Sequence, residues 1–254
     1  MAVLVTGGAR GLGAAVCRQM AARNHVVAVA DLDAAGAEAV ADACIALGAD
    51  AFAIPVDLAT ADGPAAMVDA VARRAGRLDV LVNCAAAAPA EAFLDMTAGA
   101  WELALLVNVR AIALAMAAAG RVMAAQGSGR IINVTSAAAR MALPNYAAYA
   151  ATKAAVDSLT RTAAVALASK GIRVNSISPG MMDTPLQQET EAIFCALDGR
   201  SDLEAYKAER TARIPLGRRS DPEEMALAVV WLALDAPDYM IAERLNVSGG
   251  LDKD

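Results

Sequence analysis

Histidine is nearly absent: the 254-residue chain has one, His25. A Ser-His-Asp hydrolase needs imidazole as its base, and most zinc and non-haem iron sites need at least two. His25 follows Arg23-Asn24 just ahead of a predicted strand, so it reads as a surface or loop residue. The four cysteines, Cys17, Cys44, Cys84 and Cys195, form no CxxC pair. That spacing argues against a disulfide framework or a zinc site and fits reduced thiols in a cytoplasm, with no metal expected. Positive charge is in deficit, 22 Lys and Arg against 28 Asp and Glu for a net of -6, which argues against a nucleic-acid partner. Mean hydropathy is +0.42. Yet the longest charge-free runs, Val80 to Ala90 and Met141 to Thr152, fall short of the ~18 apolar residues of a spanning helix. No basic region precedes the apolar run of MAVLVTGGAR, so a soluble, unexported, cytoplasmic protein without a membrane partner is expected.

What the chain does have is small apolar residues. Hydrophobic residues make up 57% and aromatics only 4%, and about a quarter of the residues are alanine. Alanine favours helix and lets backbones approach closely, which suits helices packed on a sheet. Short β-branched runs alternate with Ala-rich segments of helical period, the pattern of repeated βα units. Strands are predicted at Val3 to Thr6, Val26 to Asp31, Ala51 to Val56, Val80 to Asn83, Arg130 to Thr135, Arg173 to Ser178 and Leu245 to Val247. Helices are predicted over Gly11 to Arg23, Ala34 to Leu47, Gly63 to Ala75, Ala100 to Gln126, Asn145 to Lys170 and Asp221 to Leu234. Ser220-Asp221-Pro222-Glu223 supplies a cap and an early proline for the last of these. The expectation is a three-layer, doubly wound α/β fold of Rossmann type, with a seven-stranded parallel sheet in a single domain over 1–254. One stretch breaks the rhythm. From Met182 to Ile214 the sequence turns polar, with Gln187, Gln188, Glu189 and Glu191 and no evident strand, as a lid over a site would.

The first strand runs into Thr6-Gly7-Gly8-Ala9-Arg10-Gly11-Leu12-Gly13 and then a helix. Glycines there allow a tight turn and let backbone amides meet a pyrophosphate at the helix N-terminus. Asp31 lies 20 residues beyond Gly11 at the end of the second strand, where a carboxylate can accept hydrogen bonds from an adenosine ribose. It would repel a 2'-phosphate, which favours NAD over NADP; Arg10 pulls the other way, as a base that could meet that phosphate.

Tyr149 and Lys153 stand four residues apart in a predicted helix, so they share one face. An ammonium beside a phenol stabilises the phenolate and is expected to lower its pKa from ~10, making Tyr149 a general acid and base. Ser136, 13 residues earlier at the C-terminal end of a strand, can hold a carbonyl or alkoxide oxygen next to that phenol.

Thr6-Gly7-x-x-x-Gly11-x-Gly13, Asn83 after the fourth strand, Asn108 in a long helix, Ser136, Tyr149-x-x-x-Lys153 and Pro179-Gly180 together resemble, in order and spacing, the short-chain dehydrogenase/reductase family in its compact single-domain form. The resemblance spans essentially the whole chain. It implies hydride transfer between a secondary alcohol and a nicotinamide, with Asn108, Ser136, Tyr149 and Lys153 as the catalytic set. It also implies a cofactor site of Gly7, Arg10, Gly11, Leu12, Gly13, Asp31 and Leu32, with Asp57 and Leu58 at the adenine and Asn83 and Ala85 at the adenosine ribose. Lys153 would also bind the nicotinamide ribose, Pro179, Gly180, Met182 and Thr184 would border the nicotinamide, and Asn108 would hold a water relaying protons from Lys153 to solvent. Three positions depart from the family: Cys84 replaces an asparagine that helps tie the sheet, Ala86 adds a methyl to the cleft, and Ser248 stands where Asp is common.

Three functions compete at this stage. An NAD-dependent dehydrogenase of alcohols, polyols or sugars is favoured by Asp31 and by a resemblance of the tail and lid to bacterial polyol dehydrogenases. An NADPH-dependent reductase of 3-oxoacyl groups on a carrier protein is favoured by Arg10. A dinucleotide sensor without catalysis is opposed by the intact catalytic set. The pocket should be formed by Ala87 to Ala90, Ala137, Ala138, Tyr146 and the segment from Met181 to Ile214. Its polar residues suggest a hydroxylated substrate, or else a solvated loop face. The two longest helices carry more small apolar surface than one sheet face can cover, which predicts a homotetramer or dimer.

Overall fold

The computed structural model describes residues 1–252. Seven strands form one parallel sheet in the order β3-β2-β1-β4-β5-β6-β7: β1 Ala2–Thr6, β2 Val26–Asp31, β3 Ala51–Pro55, β4 Val80–Asn83, β5 Gly129–Val134, β6 Ile172–Pro179 and β7 Arg244–Val247. Every residue of β1 and β4 is buried, because strands covered on both faces need apolar side chains pointing both ways.

Two helical layers do the covering. On one face, α1 (Gly11–Ala21), α2 (Ala34–Ala46) and α9 (Pro222–Leu234) enclose a core of Val5, Val16, Met20, Val29, Val82 and Val229. On the other, α3 (Gly63–Ala75), α5 (Ala111–Gln126) and α6 (Ala147–Leu167) close over Leu4, Met67, Leu81, Ile112, Ile131 and Val156. The chain winds outward through β1, β2 and β3, then returns to the centre for β4 and winds the other way. At such a reversal the loops after β1 and β4 part and leave a crevice at the carboxyl ends of the strands. Asp221 caps α9 by accepting from the Glu223 amide, with Pro222 in the first turn, as the sequence predicts.

Two predicted elements come out differently. The single helix expected over Ala100 to Gln126 is α4 (Ala98–Leu105), a π-turn (Leu106–Arg110) and α5; the extra residue per turn faces Asn108 inward. That helical stretch, Ala98–Gln126, is by length and composition apolar enough to cross a membrane, its most apolar 18-residue window having a mean hydropathy of 1.9, contrary to the expectation from charge-free runs. Half of that window is buried inside the protein, and α5 packs on the sheet through Ile112, Ala115, Ala119 and Met123. The expected lid holds two helices, α7 (Pro185–Leu197) and α8 (Leu203–Ala212), capped by Thr184 and Asp202.

His25 precedes β2, away from the crevice, and partial burial lowers its pKa. The four cysteines are free thiols, and among the described residues no group of His, Cys, Asp and Glu could hold a metal.

Candidate active site

A cleft of about 450 Å³ occupies the crevice. At one end the β1–α1 turn is built so tightly that glycine is required: Gly7 and Gly11 have φ of 68° and 55°, and a Cβ on Gly13 would lie 2.1 Å from the Gly7 carbonyl oxygen. Arg10 precedes α1 without a capping side chain, so the first-turn amides are left to meet a ligand from the cleft. Asp31 is fixed at the rim by backbone amides, its Oδ2 accepting from Ala9 N at 3.0 Å and its Oδ1 from Asp33 N at 3.0 Å. The wall there carries Leu12, Leu32, Asp57, Leu58 and Ala85. Unpaired amides, a glycine cradle and a rim carboxylate fit a dinucleotide. Arg10 reaches across the cleft mouth to Glu189 on α7, at 3.0 Å, with both side chains more than half exposed.

At the other end stand Ser136, Tyr149 and Lys153, with Pro179, Gly180, Met182 and Thr184 on the facing wall. Ser136 follows β5; its Oγ accepts from Ala138 N at 3.1 Å, and its hydroxyl stands close enough to the Tyr149 phenol to favour the phenolate. The Tyr149 ring stacks on Tyr146, centroids 4.3 Å apart, and Tyr146 meets Phe194 edge to face at 5.0 Å. Lys153 is 1% exposed; its Nζ donates to the Val134 carbonyl at 2.8 Å and sits 5.5 Å from the Tyr149 ring centroid.

Three expectations change in this geometry. The Tyr149 pKa is not lowered by the protein's own charges: burial pushes it up to about 12, against a lowering contribution from Ser136. Burial instead moves Lys153 down, to about 8, opposed by Cys84 and Asp157. Asn83 does not face the adenosine end of the cleft, since its Nδ2 donates to Asn133 Oδ1 at 2.8 Å inside the sheet. Asn108 is fully buried, its side chain donating to the Ala87 carbonyl and Thr152 Oγ1 and accepting from Ala87 N. With both amide hydrogens spent, it has no donor for a relay water, which would need a backbone carbonyl of the π-turn or the second lone pair on Oδ1.

The unusual positions are accommodated locally. Thr6 Oγ1 accepts from Cys84 N at 3.0 Å and Ala85 N at 3.2 Å, tying the β4 end to β1 without an asparagine side chain at 84. Burial pushes the Cys84 thiol up to about 12, so it stays protonated. Ala86 lines the cleft, and Ser248 closes a turn by accepting from Asp252 N at 3.0 Å.

The lid's polar residues are mostly committed to structure. Glu191 is fully buried, accepting from Arg210 Nε at 2.9 Å and from Arg219 Nη1 at 2.7 Å. Sequence reasoning missed this cluster and the arginines Arg210 and Arg213 beside the catalytic end. A helical signal was available in Thr184-Pro185, a cap followed by proline.

The profile of a family described as enoyl-(acyl carrier protein) reductase, of the short-chain dehydrogenase type, matches residues 7–252. The chain belongs to the short-chain dehydrogenase/reductase family. It is 39% identical to cis-4-hydroxycyclohexanecarboxylate dehydrogenase of Sinomonas cyclohexanicum, covering 97% of this chain and 94% of that one. It is 35% identical to the 3-oxoacyl-(acyl-carrier-protein) reductase FabG of Staphylococcus aureus, over 98% and 96%. Among solved structures, a NAD+-bound xylitol dehydrogenase superposes with a TM-score of 0.94 at 28% identity, covering 98% of each chain.

Proposed function

We propose that this protein is a NAD-dependent dehydrogenase of secondary alcohols, working reversibly on the corresponding ketones. The observation that carries the reading is the Tyr149 phenol beside Ser136, a helical turn from Lys153, at the end of a cleft whose other end is a glycine cradle. A nicotinamide dinucleotide, when bound, supplies the hydride acceptor and donor. The first-turn amides of α1 would take its pyrophosphate, Asp31 its adenosine ribose, Asp57, Leu58 and Ala85 its adenine side, and Lys153 with Pro179, Gly180, Met182 and Thr184 its nicotinamide side.

In ketone reduction, Ser136 holds the carbonyl oxygen while Tyr149 Oη donates its proton to it; in oxidation the phenolate takes the hydroxyl proton. A phenol held near pKa 12 is fully protonated at neutral pH, ready for the reductive direction. Oxidation needs positive charge that the protein alone does not bring to the phenol, and that a bound oxidised nicotinamide would supply. Asn108 holds the Ala87 loop and Thr152 in place behind Lys153.

The competing reading, an NADPH-dependent reductase of 3-oxoacyl carrier-protein substrates, draws on the likeness to FabG. Asp31 opposes it, and so does the engagement of Arg10 with Glu189 rather than with the ribose end. The lid at 182–214 closes the single domain's cleft in this proposal. Exposed Leu103, Leu105, Leu114 and Val165 on α4, α5 and α6 favour a dimer or tetramer, and a cytoplasmic setting fits the free thiols. The test is turnover of a secondary-alcohol panel with NAD and with NADP, using the wild type and Tyr149→Phe. NAD preference and a loss of at least about 100-fold in kcat for the variant are expected. A strong NADP preference, or an unimpaired variant, rejects the proposal.

A further inference from the structure

Beside the catalytic end lies a second chamber of about 90 Å³, which shares Ser136, Tyr146, Gly180 and Gln187 with the main cleft. Whatever part of a substrate projects away from the reacting carbon on that side must enter it. Its middle is alkyl and aromatic, from Met141, Leu143, Phe194 and Leu251. Its polar wall carries Thr190 besides the shared Ser136, Tyr146 and Gln187, and two cations, the half-buried Arg210 in the last turn of α8 and the exposed Arg213 at that helix's C-terminal cap.

Among the described residues the charges on these two arginines are not fully balanced. Arg210 shares buried Glu191 with Arg219, so among the described residues two guanidiniums divide one buried carboxylate, with the exposed Asp183 3.7 Å from Arg219. Arg213 makes no ion pair or side-chain hydrogen bond among the described residues. The acidic side chain it influences, Glu209, is already held by Arg200 through two hydrogen bonds. Beyond Ser136, Tyr146, Gln187 and Thr190, a chamber lined by Met141, Leu143, Phe194 and Leu251 offers few partners to a polyol's remaining hydroxyls. It is a good match for an anion at the far end of a hydrocarbon body.

Resting on the dehydrogenase reading above for the position of the reacting carbon, we infer that the substrate is a secondary alcohol or ketone with a compact hydrocarbon body and a carboxylate, which Arg213, assisted by Arg210, binds. Arg213 is then a specificity-determining residue. Discrimination by such a site comes from the charged hydrogen bond that an uncharged analogue cannot make.

The test is calorimetric titration of the NADH-saturated protein with cyclohexanecarboxylate and with cyclohexanecarboxamide, neither of which can react. The carboxylate should bind at least about tenfold more tightly in the wild type. Arg213→Gln should erase that preference without moving the carboxamide affinity more than about twofold, and Arg213→Lys should restore part of it. Equal binding of the two ligands by the wild type, or a preference that survives Arg213→Gln, overturns the inference. Failure of the dehydrogenase reading looks different: no secondary alcohol is oxidised, while the carboxylate preference, measured on the protein alone, is retained.

Discussion

Asn108 and Ala87 are joined by two hydrogen bonds, Asn108 Nδ2 to the Ala87 carbonyl at 2.7 Å and Ala87 N to Asn108 Oδ1 at 2.8 Å. The pair fastens the π-turn between α4 and α5 to the loop that follows β4, and the third bond, to Thr152, carries the connection to the residue next to Lys153. A leucine at 108 would fill the space and strand all three partners, at about 1–3 kcal/mol for each buried group left unpaired. Asn108→Leu is expected to lower the melting temperature by several degrees and to depress kcat more than the KM for the cofactor, whose adenosine end is remote. A variant with unchanged melting and unchanged kcat would show that the clasp is dispensable.

Asp31 bears on cofactor choice because its carboxylate is locked at the rim by Ala9 N and Asp33 N and cannot swing away from an incoming phosphate. Replacing it with serine removes that repulsion while keeping an acceptor. Asp31→Ser should raise the ratio of kcat/KM for NADP to that for NAD by about tenfold or more, from the loss of an unfavourable charge contact. Adding Glu189→Gln, which releases Arg10, should raise it further. If the ratio does not move, Asp31 is not the selecting group.

The sheet and the β1–α1 turn were readable because their signals are consecutive: Ala2–Thr6 is uniformly apolar, and the glycine turn follows at once. The Tyr149–Lys153 pair was readable for the same reason, being local to one helix. Three features depended on partners far along the chain. In the sequence Glu191 reads as one of several polar lid residues, yet it is buried and held by Arg210 and Arg219, 19 and 28 residues away. The π-turn requires the contacts of Asn108 with residues 21 and 44 positions distant. The sign of the Tyr149 shift depends on how completely its ring is enclosed, a property of packing that helical spacing does not carry.

The buried Glu191 gives the lid its own stability test. Glu191→Gln keeps the shape but leaves two guanidiniums sharing no charge, an imbalance that costs about 3–5 kcal/mol where one partner of a buried pair is lost. Because α7 and α8 are held together mainly through this cluster and the small Phe194–Tyr206 core, the loss should appear first as local opening. Faster limited proteolysis within 182–214, ahead of any global unfolding, is the expected result. Cleavage at the wild-type rate would mean that the helices dock without the ion cluster.

Lys153 makes stability depend on pH in a defined direction. Its folded pKa, about 8, lies below the ordinary lysine value of 10.5, so between those values the unfolded chain binds the extra proton. Stability from this group is therefore fully present above pH ~10.5 and is lost as pH falls through 8, a rise across that window on the order of 3 kcal/mol. Tyr149, raised from 10.0 to about 12, acts oppositely and only above pH 10. Denaturant titrations at pH 7.5 to 10 should therefore show Lys153→Met gaining stability over the wild type at the low end, with the gap closing as pH rises. A gap independent of pH would mean that Lys153 titrates normally in the folded protein, and that its ammonium stays fully charged beside Tyr149 throughout the working range.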